Sequence, residues 1–184
     1  MGHFELKIVN QHFLTQELEE PCSHGPIYLK VNDVMISSED DGDWVINEAA
    51  LALMRTVRYG FPNPLAAPPR YYPEGIKEET LINCCGAYML FCSSYIKWNV
   101  TLNGNEVTLS HFVKNDHVDY RDLAVTLPLA EYATIVYAFA EQASDFYIGK
   151  DVDAGGMELF EGQYGQFWQE FEEHMKYIKE KYIL

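Results

Sequence analysis

The Asn103-Gly104 pair constrains the fold of this chain more than any other feature, because it separates two runs of alternating apolar and polar residues. The run before the pair reads WNVTL, and the run after it reads EVTLS. Asn and Gly readily adopt the positive φ angles of a tight hairpin turn. The pattern therefore predicts two antiparallel strands joined by a short turn. Asn32-Asp33, between IYLKV and VMIS, predicts a second hairpin of the same kind.

Three segments have the composition or periodicity of helices. The first is rich in Ala, Leu and Met; it begins at Asn47, a residue type that caps helix N-termini, and ends at Gly60. In the second and third, large apolar residues recur every three or four positions, from Leu129 to Phe146 and from Tyr164 to Tyr182. The first helix is expected to be largely buried, and the other two to have one apolar face each.

These elements together predict an α+β fold, in which one early helix and two long C-terminal helices pack on an antiparallel, hairpin-rich sheet. The length of 184 residues suits a single domain over residues 1–184. The N-terminus lacks the basic start and apolar stretch of a signal peptide, and no apolar run approaches the roughly 18 residues of a membrane helix. We therefore expect a cytoplasmic protein that does not interact with membranes.

The segment 61–75 contains five of the eight prolines in the chain. Proline lacks an amide donor and restricts the residue before it, so no regular helix or strand is expected here. A loop of this length in a compact domain usually either carries a function or covers a site. One hypothesis is therefore a small-molecule-binding protein or enzyme with a pocket under this loop, near Arg70, Tyr72, Cys85 and His111.

The charge balance favours a different hypothesis. The chain has 13 Lys and Arg residues against 28 Asp and Glu residues, for a formal net charge of −15. This acidity argues against a nucleic-acid partner, which requires clustered basic residues. It suits a non-enzymatic binding protein that neutralises a basic protein partner, as immunity proteins do, because complementary charge speeds such encounters. The candidate binding residues are Glu39, Asp40, Asp41, Asp43, Asp116, Asp119 and Asp122.

A third hypothesis is a structural or dimerising protein that associates through its aromatic helices, so that both a monomer and a homodimer remain open. The sequence contains neither a Gly-x-Ser-x-Gly nucleophile elbow nor a phosphate-binding glycine loop. No catalytic residue is therefore assigned, and the balance leans away from an enzyme.

The cysteines do not have the spacing of a common zinc site, since the chain contains no Cys-x-x-Cys pair. Cys22 with His24, and Cys84 with Cys92, would have to converge from distant segments to bind a metal. The acidic run at 39–43 lacks the alternating ligands of a calcium loop. We therefore expect no metal and no cofactor, and cysteines that stay reduced in the cytoplasm.

Two stretches carry a resemblance to known sequences. One is DWVINEAALALMRT at 43–56, and the other is VTLPLAEYATIVYAFAEQASDFY at 125–147, followed by GQFWQEF at 165–171. The chain, from about residue 22 onward, resembles a group of small, acidic, uncharacterised bacterial proteins. In that group a His precedes a Cys where Asn83-Cys84-Cys85-Gly86 stands here. The resemblance implies a bacterial cytosolic origin and a single domain, and it implies no activity.

Overall fold

The structure is a computed structural model that describes residues 2–15, 20–86 and 93–184 of the chain. Within those ranges it combines three α-helices with antiparallel sheets, in agreement with the predicted α+β class. The strands are β1 (Phe4–Ile8), β2 (His24–Gly25), β3 (Ile27–Val31), β4 (Val34–Ser37), β5 (Trp44–Val45), β6 (Ile82–Asn83), β7 (Tyr95–Asn103), β8 (Glu106–Lys114) and β9 (Val118–Pro128). The helices are α1 (Ile46–Tyr59), α2 (Leu129–Asp145) and α3 (Gln163–Ile178).

The larger sheet has the strand order β6-β7-β8-β9, with antiparallel pairing throughout. The predicted hairpin is confirmed, but its two-residue turn is Gly104-Asn105, because Asn103 still pairs with Glu106 and Gly104 has a φ of +61°. Alternation along β7 sends every second side chain into the core. Trp98 of this strand is fully buried and stacks on Phe112 of β8, with 5.5 Å between the ring centroids.

A second sheet has the order β1-β3-β4 and contains the other predicted hairpin, whose turn residue Asn32 has a φ of +51°. A third sheet pairs β2 with β5. The described strands thus form three antiparallel sheets, whereas the sequence predicted one. Hairpin signals are local: they specify which neighbouring strands pair, but they carry no information on how separate hairpins join.

Helix α1 is almost entirely buried, as its apolar composition predicts. It begins at Ile46 and not after Asn47, so the prediction of Asn47 as the N-cap was wrong. The Asn47 side chain lies inside the fold, where its Oδ1 atom accepts a hydrogen bond from the Ser23 amide at 3.1 Å. This amide belongs to the chain leading into β2, so tertiary contact replaces the local capping role.

The helices pack against one another and against the sheets around one contiguous cluster of buried apolar side chains. Helix α1 contacts both α2 and α3, and α2 also contacts β1. Phe4 of β1 lies against Tyr132 of α2, with 5.7 Å between ring centroids. Among the described helices, none combines the length and the apolar character that crossing a membrane requires.

Candidate functional site

Five of the predicted acidic residues lie on or near two adjacent turns. Glu39, Asp40 and Asp41 form a single 3₁₀ turn. Lys114, at the end of β8, donates hydrogen bonds to the Asp41 carboxylate and to the Ile36 carbonyl, the latter at 3.0 Å. The 3₁₀ turn therefore lies beside the β8–β9 turn, which carries Asp116. We refer to these two turns together, with Asp43, as the acidic end.

Much of the charge at the acidic end is used locally. The Asp41 carboxylate also accepts a hydrogen bond from the Ser38 amide at 2.9 Å, which closes the cap of the 3₁₀ turn. Asp43 lies 3.1 Å from the His12 ring, and Asp116 accepts a hydrogen bond from the Tyr95 hydroxyl. On β9, Asp119 pairs with Arg121 at 2.7 Å.

Glu39, Asp40 and Asp122 are exposed, and the described residues offer their carboxylates no ion pair. The acidic end is consequently a partly neutralised surface that carries five of the seven predicted residues, while Asp119 and Asp122 lie on β9.

The proline-rich loop encloses a cavity of about 590 Å³, which we call the loop pocket. As expected, 61–75 contains no helix or strand, although Phe61 exchanges backbone hydrogen bonds with Val100 at 2.9 and 2.7 Å. The pocket lies between the outgoing and returning arms of the loop. It is lined by Arg55, Tyr59, Gly60, Phe61, Pro62, Asn63, Pro64, Ala66, Ala67, Pro68, Gly75, Ile76, Lys77, Glu78 and Glu79.

Arg55 and Glu78 at the inner wall of the loop pocket form, together with Glu170 behind it, an ion cluster that we call the Arg55 cluster. The Arg55 Nε atom lies 3.3 and 3.4 Å from the two Glu78 carboxylate oxygens. The two terminal nitrogens of the Arg55 guanidinium donate to the Glu170 carboxylate and to the Ala67 carbonyl. Arg55 is only 4% exposed, so α1, α3 and the loop are joined by a buried charge.

The two carboxylates of the cluster have pKa shifts of opposite sign. Burial raises the pKa of Glu78, and the adjacent Arg55 charge only partly offsets it. Burial also acts to raise the pKa of Glu170, but the His174 ring 3.7 Å away, a hydrogen bond from the Arg70 amide and the Arg55 charge lower it overall. Opposed shifts of neighbouring carboxylates are typical of acid–base pairs, and they also occur in structural ion networks. The multiple contacts of Arg55 favour the structural role here.

The four residues predicted for this pocket do not lie together in the structure. The Arg70 side chain is exposed and pairs with Glu173 at 2.9 Å, while its amide donates to Glu170 at 2.7 Å. Tyr72 is half-buried near Glu78, and burial raises the pKa of its hydroxyl. The structure therefore brings Arg70 and Tyr72 close to the Arg55 cluster.

Cys85 and His111 lie elsewhere. Cys85 is a half-buried free thiol close enough to buried Cys22 to contribute to its raised pKa, which burial mainly causes. His111 is exposed on a bulge of β8, where its φ is +57°. Neither residue lines the loop pocket.

The cysteines differ from the expectation that all of them are reduced. Cys84 is disulfide-bonded, whereas Cys22 and Cys85 are free. Cys85 is not its partner, because the side chains of adjacent residues diverge and their sulfurs lie 3.8 Å apart. Cys92 lies outside the described residues. Within residues 2–15, 20–86 and 93–184, no three His, Cys, Asp or Glu residues are arranged to hold a metal ion.

A second concave surface, which the sequence did not single out, lies where α3 passes the end of α2. Tyr164, Trp168 and Met175 follow one another along α3 and are only half-buried. Tyr147 packs edge-on against Trp168 with 4.8 Å between ring centroids, and Ile148 beside it is 75% exposed. The surface is a groove of about 460 Å³, which we call the aromatic groove.

Carboxylates flank the aromatic groove. Glu172 lines it directly, and the Glu158 carboxylate accepts a hydrogen bond from the Tyr164 amide at 2.8 Å. The C-terminal end of α2 adds partial negative charge from its helix dipole. The basic residue at this rim, Lys150, donates its ammonium to the Phe146 carbonyl and lies 4.0 Å from the centre of the Phe146 ring.

Comparison of the chain with models of protein families, with curated proteins and with solved structures gave no match.

Proposed function

We propose that this protein is a binding protein for a basic protein partner and that the aromatic groove is the centre of the binding surface. The observation that carries this proposal is the placement of Trp168 and Tyr164 side by side on α3, with the carboxylates of Glu172 and Glu158 next to them. Aromatic faces and carboxylates together form a surface for arginine and lysine side chains.

The physical reason is that a guanidinium or ammonium group gains from both kinds of neighbour. A cation over the face of Trp or Tyr is stabilised by roughly 0.5–2 kcal/mol, depending on desolvation. Arginine also forms paired hydrogen bonds with a carboxylate. Trp and Tyr are enriched among the residues that contribute most to protein–protein affinity. Exposed Ile148 supplies apolar area next to these anchors.

The net charge of −15 supports the same proposal through the rate of encounter. A strongly acidic protein attracts a basic partner over distances longer than direct contact, and salt screens this attraction. The exposed carboxylates of Glu39, Asp40 and Asp122 at and near the acidic end add to this field. In this proposal they accelerate association, while the groove supplies the short-range contacts.

The test is a pull-down from a lysate of the source cells with three immobilised proteins: the wild type, Trp168→Ala and Tyr28→Ala. Tyr28 is a half-buried tyrosine on β3, outside the groove, and serves as the matched control. We expect the wild type and Tyr28→Ala to recover one basic protein in stoichiometric amount at low salt and less of it at high salt. Trp168→Ala should lose it.

Two results would contradict the proposal. One is equal recovery of the same partner by the wild type and Trp168→Ala, which would move the site away from the groove. The other is recovery of no basic protein, together with a self-association that Trp168→Ala abolishes. That second result would assign the groove to a second copy of this chain and support the dimerising alternative.

A further inference from the structure

We infer that the loop pocket binds a small primary amine with an apolar body, whose ammonium group pairs with Glu78. This site is separate from the aromatic groove and does not depend on the function proposed above. The groove is formed by α3 and the end of α2, whereas the pocket is formed by Arg55 and Tyr59 of α1 and by residues within 60–68 and 75–79.

The pocket is held open by contacts that pin the loop to the helices. The Arg55 guanidinium donates to the Ala67 carbonyl, and Glu170 accepts the Arg70 amide at 2.7 Å. Gln163 at the start of α3 donates to the Tyr71 carbonyl, also at 2.7 Å. A cavity whose walls are fixed before binding costs a ligand less ordering entropy.

The size and the walls of the pocket suit a small organic molecule. Its volume of about 590 Å³ falls within the range of roughly 300–1,000 Å³ that is usual for ligand sites. Most of the wall is apolar, and Phe61, Pro64, Ala66 and Ile76 contribute to it. An apolar ligand body gains from burial against such residues.

The polar end of the pocket favours a cation over an anion. Each of the three nitrogens of Arg55 already donates to a protein acceptor, and two of those acceptors are carboxylates whose charge repels an anion. The Glu78 carboxylate, by contrast, has room for another donor. Arg55 Nε is the only donor to it among the described residues, and both contacts, at 3.3 and 3.4 Å, are long.

The charges around the Glu78 carboxylate also favour a cationic ligand. With both carboxylates ionised, the Arg55 cluster has one positive and two negative groups, and Lys77 and Glu79 at the rim offset each other. A partly buried carboxylate with incomplete hydrogen bonding is costly. An ammonium group that donates to Glu78 would supply the missing partner and balance the cluster.

The experiment measures binding of three probes of matched shape by isothermal titration calorimetry: phenethylamine, 2-phenylethanol and 3-phenylpropanoate. We expect phenethylamine to bind the wild type at least tenfold more tightly than the alcohol or the carboxylate. Glu78→Gln should remove most of this preference. Glu74→Gln, on the same loop but not lining the pocket, is the control and should keep it.

Ala66→Trp fills the pocket without changing the ion cluster and should weaken binding of all three probes. It keeps the inference testable if Glu78→Gln proves poorly folded by circular dichroism. Equal affinity for the three probes, no amine binding at millimolar concentration, or amine binding that survives Ala66→Trp would overturn the inference. Trp168→Ala should leave amine binding unchanged, so this result is independent of the partner experiment.

Discussion

Arg55 on α1 and Glu170 on α3 form a buried ion pair across 115 residues of sequence. The pair ties the first helix to the last one, and through the Arg70 amide it also holds the proline-rich loop. Buried pairs of this kind are sensitive to the removal of one partner, since the remaining charge is left without compensation.

We therefore expect Glu170→Ala to lower the free energy of unfolding by about 3–5 kcal/mol, the usual cost of breaking a buried pair. The measurement is urea denaturation followed by circular dichroism. The control is Glu173→Ala, because Glu173 pairs with Arg70 on the exposed side of the same helix. Glu173→Ala should change stability little, and equal losses in the two variants would contradict the assignment of Glu170 as the anchoring partner.

The pKa of Glu170 predicts a pH dependence with a definite sign. Although burial opposes it, the net pKa of Glu170 is lower in the folded protein than its usual value of 4.5. The stabilisation that this lowered pKa contributes is complete above 4.5 and is lost as pH falls through the folded pKa. The stability difference between the wild type and Glu170→Gln should therefore shrink as pH decreases below 4.5.

Urea midpoints of both proteins, measured from neutral to acidic pH, test this prediction. The contribution of Glu78 to stability has the opposite pH dependence. Burial raises the pKa of Glu78, so this contribution is lost as pH rises. Glu78 is present in both proteins, so the difference between them reports mainly on Glu170. A difference that grows as pH falls would show that the pKa of Glu170 is raised instead.

Trp168 provides an optical probe of the aromatic groove. Trp44 and Trp98 are only 2% and 0% exposed, whereas Trp168 is half-buried and lines the groove. Because the Glu172 and Glu158 carboxylates flank the groove, we expect caesium ions to quench Trp168 fluorescence more strongly than iodide ions, with quenching by neutral acrylamide as the reference for each ion. Glu172→Lys should reduce this preference. Equal quenching by both ions in the wild type would argue against a cation-attracting groove.

The buried pair Thr56–Tyr132 allows a test of hydrogen-bond direction. The Thr56 hydroxyl donates its proton to the Leu53 carbonyl at 2.7 Å. The Tyr132 hydroxyl oxygen lies 2.8 Å from Thr56 Oγ1, so Tyr132 must be the donor in the hydrogen bond between these two side chains. Tyr132→Phe should cost about 1 kcal/mol, the typical value of one hydrogen bond. Thr56→Val should cost more, about 1–3 kcal/mol, because it leaves the buried Tyr132 hydroxyl without its acceptor. The reverse order in urea denaturation would contradict this assignment.

Local signals in the sequence predicted local structure well. The hairpin of β7 and β8 depends on the positive φ that Gly104 tolerates, and it forms as predicted, although its two turn residues are Gly104 and Asn105. The Asn47 cap failed because its side chain bonds to Ser23 in another element, which no local pattern encodes.

The candidate sites were harder to predict for the same reason. Proline density correctly marks residues 61–75 as an irregular loop, and the structure has a cavity there. The residues that define its inner wall, Arg55 and Glu78, meet only after the chain has folded back. Trp168 belongs to the apolar repeat from Tyr164 to Tyr182, and spacing alone does not show where such a face meets solvent.

The anchoring of the proline-rich loop by α3 has a consequence for biosynthesis. The Arg70 amide and its acceptor Glu170 are 100 residues apart, and Gln163 also holds the loop through Tyr71. At a translation rate of roughly 5–20 residues per second, about 5–20 s separate the synthesis of the loop from that of its anchor. On the ribosome, the nascent loop therefore remains unanchored until the last helix has been synthesised. Until then the apolar residues of its wall are accessible to chaperones.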